Sequence, residues 1–150
     1  MKVTFQNHDL ATQARSQFID ITQDVLDVVD RSEVQHGMAL VYSPHTTCAI
    51  VVNEREKGFL ADFAEVLDAL VPSDRAYRHD DLSVRTENLE DDPHENPNGH
   101  AHCRGALMAS ASQTFPIRDG NLMLGRWQRV FFVELDCARD RKVFIQVLGE

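Results

Sequence analysis

Apolar and polar positions along this chain fall into segments with distinct periods, and each period predicts an element. Met1–Gln6 reads as a strand. Phe18-Ile19-Asp20-Ile21 predicts a short second one. Thr22 is then placed to cap a helix with Gln23 and Asp24 in its first turn and Val25, Val28 and Val29 on one face. After Gly37, Met38–Tyr42 is an unbroken apolar run, the pattern of a strand covered on both faces. Ser43-Pro44 interrupts it, and the β-branched set Thr46, Thr47, Ile50, Val51 and Val52 predicts another strand over His45–Asn53. Between Arg55 and Leu70 the spacing of Phe59, Phe63, Val66, Leu67 and Leu70 is helical, with Asp62, Glu65 and Asp68 outward. Val71-Pro72-Ser73 stops that helix.

Residues 78–99 break the rhythm. Seven carboxylates (Asp80, Asp81, Glu87, Glu90, Asp91, Asp92, Glu95) and two prolines leave almost no apolar side chain there, and a polar connection of this length is functional or mobile. Beyond it, Ala101, Leu107, Met108 and Ala111 predict a short helix within Gly99–Ala111. The last third reads as β: Thr114–Ile117, a turn at Asp119-Gly120-Asn121, then Trp127–Leu135 and Lys142–Leu148. In Trp127–Leu135, Val130 and Phe132 share one face with Gln128, while Phe131, Val133 and Leu135 share the other. Strands outnumber helices and follow one another through hairpins. The pattern predicts a single α+β domain over residues 1–150, a mainly antiparallel or mixed sandwich with two or three helices.

Composition narrows the function. With 150 residues the chain is one domain in length, and 43% hydrophobic with 26% charged residues is ordinary for a folded soluble protein. Fifteen Lys and Arg against twenty-four Asp and Glu give a net charge of −9, which excludes a general nucleic-acid binder. No apolar stretch approaches the ~20 residues that cross a bilayer, so no membrane partner is expected. Cys48, Cys103 and Cys137, odd in number and scattered, fit reduced thiols and a cytoplasmic location.

Seven histidines are the unusual feature, and four of them (His79, His94, His100, His102) lie in or beside the acidic connection. His100-x-His102-Cys103 with nearby Glu95 offers ligands that zinc, nickel or iron accept, although i and i+2 on a helix diverge unless the helix begins after His100. His45, directly after Ser43-Pro44, has the chemistry of an acid, base or ligand with Thr46 and Thr47 beside it; it equally suits a satisfied strand-edge position. Asn53-Glu54 reads either as the start of the following helix or as a carboxylate beside a helix N-terminus able to hold a divalent ion. Eight residues of extended strand, roughly 26 Å, separate His45 from Asn53. Unless the strand bends, one small ligand reaches both only if oligomerisation brings opposite strand ends together; otherwise there are two sites. Glu134, inside an apolar strand, calls for a partner, with Arg141 or Lys142 on the next strand available. Trp127 is expected in the core or an interface. No Gly-rich phosphate loop, Gly-x-Ser-x-Gly elbow or Cys-x-x-Cys occurs.

Five strings in register complete the reading: His45-Thr46-Thr47 with Asn53-Glu54, Tyr77-x-His79-Asp80, Asn98-Gly99-His100-Ala101-His102, Gly125-Arg126-Trp127-Gln128, and Gln146-Val147-Leu148-Gly149-Glu150. Together they span nearly the whole chain, and the chain resembles the YjbQ-like protein family. The resemblance implies a compact homotrimer of α+β subunits and a secondary thiamine-phosphate synthase activity, joining a pyrimidine methyl diphosphate to a thiazole phosphate with release of pyrophosphate. It marks His45, Asn53, Glu54, His79, His102 and Gln128, with His100 and Cys103 matching only part of the family. The stretch Arg85–Pro97 is longer and more acidic than in its compact members. On this reading His45, His79 and His102 are catalytic; Thr47, Asn53 and Gln128 bind a small phosphorylated substrate; and Glu54, His79, His102 and His100 hold a divalent metal. Magnesium favours oxygen ligands and zinc a histidine set, so the sequence leaves the two open. A metal-dependent hydrolase and a non-catalytic trimer binding a metal or metabolite are the competing functions.

Overall fold

A computed structural model describes residues 1–89 and 96–150. Eight strands pair in two sheets, and every pairing among them is antiparallel. In chain order they are β1 (Lys2–Ala11), β2 (Gln17–Asp20), β3 (His36–Tyr42), β4 (Cys48–Glu54), β5 (Ser112–Arg118), β6 (Asn121–Leu122), β7 (Gln128–Glu134) and β8 (Asp140–Gly149). The helices are α1 (Thr22–Ser32), α2 (Lys57–Leu70) and α3 (Gly99–Met108), with a single 3-10 turn at Arg78–Asp80. The larger sheet runs β1-β8-β3-β5-β6 and the smaller β2-β7-β4. The sequence pattern predicts α+β with a mainly antiparallel or mixed sheet and two or three helices, and the structure resolves this to wholly antiparallel pairing with three helices among the described residues.

The alternation in β7 sets the layers. Val130 and Phe132 point between the sheets, where they meet Ala39, Val41, Ile50, Val143, Ile145 and Val147 and the Val25, Val28 and Val29 face of α1. Phe131, Val133 and Leu135 point the other way, into a second cluster with Ala49, Leu67 and Ala101 that seats α2 and α3 on the small sheet. One seven-residue strand thus supplies both cores, and all its residues from Val130 to Glu134 are buried.

Several expectations change. Met38–Tyr42 is not covered on both faces: Ala39 and Val41 are buried, but Met38 is 43% exposed and Tyr42 39%. The outward rows read Val3, Leu148, Met38, Pro116; then Phe5, Gln146, Leu40, Thr114; then Asn7, Phe144, Tyr42, Ser112. An apolar run here marks a sheet face left open by the single chain. Across it Phe144 stacks on Tyr42 and meets Phe5 in a tilted contact, at ring-centroid separations of 6.1 and 5.6 Å.

The strand predicted from His45 begins only at Cys48, so His45-Thr46-Thr47 forms a turn before it. Thr22 does not cap α1. It is the first helical residue, and its hydroxyl accepts from the Val130 amide at 2.9 Å and donates to Asp20. Glu56 caps α2 in place of Asn53, its carboxylate accepting from the Gly58 and Phe59 amides at 2.8 Å. Val66 and Leu70, expected inward, are exposed, and Leu67 is the residue of α2 that is buried. Of the two places expected for Trp127, the core is excluded: it is exposed on the single chain, with the Arg126 guanidinium 4.7 Å above its ring. Of the acidic connection, Glu90, Asp91, Asp92, His94 and Glu95 lie outside the described residues.

Candidate functional site

The site grows from the N-terminus of α3. Asp80 Oδ1 accepts both the Asn98 and the Gly99 amide at 2.9 Å, satisfying donors that a helix start leaves open. Tyr77 donates its hydroxyl to Pro72 O at 2.7 Å and lies so close to Gly99 that a Cβ there would meet Tyr77 Cβ at 2.5 Å. Glycine at 99 is therefore a packing requirement, and it lets residues 77–80 press against the helix. The result is a histidine pair, with the His79 and His102 rings 4.4 Å apart between centroids. Arg85 Nη1 lies 3.3 Å from His79 Nε2, and a guanidinium only donates, so that nitrogen accepts.

His100 goes elsewhere. α3 starts at Gly99, before His100, so the two imidazoles of His100-x-His102 diverge. His100 is buried beside Tyr77, at a ring separation of 6.4 Å, and its Nε2 has no hydrogen-bond partner among the described residues. Burial first, then the charges of Arg15 and Arg104, hold its pKa below the ordinary value. Arg104, fully buried, fastens α3 from behind: it donates twice to Val71 O, once to Ser16 Oγ and once to Asp68 Oδ1. A buried guanidinium needs such partners.

The opposite wall comes from β7, β8 and the turn before β4. Glu134, at 0% exposure, accepts from Arg141 Nε at 2.7 Å and Nη2 at 2.8 Å, from Thr12 Oγ1 at 3.0 Å and from the Asp136 amide at 2.9 Å. The expected ion pair thus exists, with Arg141 and not Lys142 as partner. Arg141 Nη2 also donates to Thr47 Oγ1 at 3.1 Å. Two residues earlier, Arg139 grips Asp136 through Nε at 3.0 Å and Nη2 at 2.9 Å, and Asn98 Nδ2 reaches the same carboxylate at 3.3 Å. His45 Nε2 accepts the Lys142 amide at 2.9 Å. An amide can only donate, so the neutral ring carries its proton on Nδ1. Burial, and next the charge of Arg141, lower the His45 pKa.

These walls enclose a cavity of about 220 Å³ lined by Pro44, His45, Thr46, Thr47, Asn98, His102, Asp136, Arg139 and Arg141. His45, Thr46 and His102 also line an adjoining, more apolar cavity of about 460 Å³ that runs to Tyr42 and α3. Cys48 also lines the larger cavity, and burial with Glu134 nearby pushes its thiol up to about 12, so it remains protonated.

Of the sequence-derived candidates, His45, Thr47, His79 and His102 converge here. Asn53, Glu54 and Gln128 do not: they sit at the far end of β4 and β7, where Glu54 pairs with Gln128 and Asn53 with Arg129 in the strand register. There Asn53 Oδ1 accepts the Glu54 amide at 2.8 Å and Gln128 Oε1 accepts the Gly125 amide at 2.7 Å. Glu54 therefore shares no ligand set with the histidines within one chain, and no group of three His, Cys, Asp or Glu able to hold a metal occurs among the described residues. Asn98, Arg104, Asp136 and Arg139 were not legible as site or support residues. The spacing of Arg139 and Arg141 was the available signal, since positions two apart share one side of a strand.

The fold and cavity define an antiparallel two-sheet α+β protein with a histidine- and arginine-lined pocket at one end of its small sheet. The model of the UPF0047 protein YjbQ-like family matches residues 6–150, and this chain belongs to that family. A UPF0047 protein of Archaeoglobus fulgidus is 39% identical over 139 residues, covering 93% of this chain and 97% of the relative. The UPF0047 protein YugU of Bacillus subtilis is 32% identical over 140 residues, 93% of this chain and 96% of YugU. Among solved structures, a YbjQ-like protein of unknown function from Sulfolobus solfataricus P2 superposes with a TM-score of 0.83 at 34% identity, covering 99% of both chains. A hypothetical protein of Aeropyrum pernix K1 gives 0.81 at 33% identity, covering 98% of this chain and 99% of that one. No helix among the described residues is long and apolar enough to cross a membrane.

Proposed function

We propose that this protein is a thiamine-phosphate synthase-type enzyme, with that activity primary or secondary, acting as a homotrimer on small phosphorylated metabolites. The observation that carries the reading is the convergence of His45, Thr46, Thr47 and His102 with two arginines on one small cavity. The reaction breaks the C–O bond between the pyrimidine methyl carbon and its diphosphate. It forms a C–N bond to the thiazole nitrogen, and pyrophosphate carries away the electron pair. Its demand is stabilisation of negative charge on the departing group, and N–H and O–H donors fixed in advance supply that. His45, held with its proton on Nδ1, is suited to donate to a phosphate oxygen; His102, facing both cavities, is suited to protonate or orient the leaving group.

A divalent ion, when bound, would neutralise the diphosphate. His79 and His102 supply two imidazoles for it, which is an incomplete ligand set for zinc or magnesium, and the scheme routes no step through a metal. The open apolar face of the large sheet supports the trimer. Along β8 it leads toward Lys142, whose amide holds His45, so a neighbouring subunit covering it would abut the cavity. Such a neighbour could also bring Asn53, Glu54 and Gln128 to a site they cannot reach within their own chain.

The test is formation of thiamine phosphate from the two phosphorylated precursors, with wild type and His102→Ala compared in magnesium, in zinc and after chelation. Turnover that falls ~10²–10⁴-fold in the variant, the range for loss of a general acid or base, is the expected result. No turnover from wild type under any condition overturns the reading in favour of a hydrolase or a binding trimer.

A further inference from the structure

We propose that Arg141 is the anchor for a phosphate group in the 220 Å³ cavity, and that its buried pairing with Glu134 exists to hold it in that posture. The inference deepens the phosphate-handling reading above and rests on it. A guanidinium has five N–H groups. Nε–H and one Nη2–H of Arg141 are spent on Glu134, and the other Nη2–H on Thr47. Nη1, with two N–H groups, has no partner among the described residues, while the side chain is only 7% exposed and lines the cavity.

Stability alone gives a weak reason for this arrangement. A buried ion pair is often no better than apolar groups of similar volume, and Arg141 occupies an inward position of β8 in line with Val143 and Ile145, where an apolar residue would continue the core. Glu134 is satisfied by both Arg141 nitrogens, Thr12 Oγ1, the Asp136 amide and the Cys48 thiol, and does not line the cavity, so its charge is spent on fixing Arg141. Arg139 stands on the same cavity wall, where its Nε and Nη2 grip Asp136 and Cys137 also bonds its side chain. Asp136, the one carboxylate lining the cavity, already accepts from Arg139 and Asn98 through Oδ2. The preset Arg141 Nη1 edge and the His45 Nδ1–H offer three donors beside the Arg139 guanidinium, a cationic wall suited to the three free oxygens and higher charge of a phosphoryl group. Phosphate monoesters, pyrophosphate and free phosphate share that chemistry.

The test titrates inorganic phosphate, pyrophosphate and acetate into the whole protein by calorimetry at pH 7.5. It compares wild type with the double variant Glu134→Leu/Arg141→Met, which removes both buried charges together so that neither is left unpaired. Phosphate binding by wild type, weakened at least about tenfold in the folded double variant and with acetate inert, is the expected result. Guanidinium ¹H–¹⁵N spectra of wild type give a second readout independent of any variant, in which phosphate must shift the Arg141 Nη1 signals. Unchanged phosphate affinity in the double variant, no phosphate binding by wild type, equal acetate binding, or still Nη1 signals would each overturn the proposal. The two readings separate cleanly. Arg141-dependent phosphate binding without thiamine-phosphate formation removes the enzyme assignment and leaves the anchor, and undiminished turnover in the double variant removes the anchor alone.

Discussion

The two ends of the β4–β7 pair carry the candidate residues of this protein, and they are built differently. At the Cys48–Glu134 end, charged groups are buried, doubly bonded and aimed across a cavity. At the Glu54–Gln128 end, Asn53, Glu54 and Gln128 are exposed, and the two amide side chains bond backbone within three residues. One end spends its polar groups on fixing one another in place; the other spends them on local turns. Preorganisation, not residue type, distinguishes a site from a surface.

The sharpest way to break this contrast is single truncation. Arg141→Ala or Glu134→Ala strands a buried charge and should cost ~3–5 kcal/mol of stability in urea titration. Glu54→Ala or Gln128→Ala should stay within ~0.5 kcal/mol, as exposed substitutions do. Equal losses at both ends would erase the distinction. A second experiment asks whether assembly joins the two ends. Refolding an equal mixture of inactive His102→Ala and Glu54→Ala chains should recover about a quarter of the wild-type turnover if each site takes residues from two subunits of a closed ring. Recovery of nothing would leave the far end outside the chemistry.

A smaller effect separates the thiols. Cys48, buried at the wall of the larger cavity with its pKa raised to about 12, should resist alkylation at pH 8 while exposed Cys103 reacts, and mass spectrometry locates the label. The smallest is a pH slope. His45 and His100 both titrate below their ordinary 6.5 when folded, so the unfolded chain takes up protons first as pH falls through that value. Stability should therefore decline below about pH 6.5 and level off once both folded histidines are charged. Removing one of them in His100→Leu should flatten the denaturant-midpoint profile between pH 7.5 and 5. An unchanged profile would assign the slope to other groups.

Much of this was legible in the sequence. The two-faced alternation of β7 was correct to the residue, because a period of two leaves no freedom once both faces are buried. The Glu134 pairing was legible too, since a carboxylate in an apolar strand has few ways to be satisfied. Misreadings arose where local pattern competes with tertiary supply. Met38–Tyr42 has the look of a doubly covered strand, but within the chain only the Ala39 and Val41 face is buried. Asn53 is a good helix cap by type, but Glu56 stands where its carboxylate meets the free amides. Arg104 could not have been found, because nothing in Cys103-Arg104-Gly105 announces that Val71, Ser16 and Asp68 gather around it.

The carboxylate of Asp80 has one further consequence, for engineering. By accepting two amides at the start of α3 it draws residue 80 against residues 98 and 99, so the seventeen positions between begin and end at one knot. Widening a loop closed at its base costs little, ~0.6 kcal/mol for a doubling of its length. A peptide inserted between Asn88 and Leu89 should thus leave His79 and His102 in place, provided Asp80 and Arg85, which contacts His79, are kept.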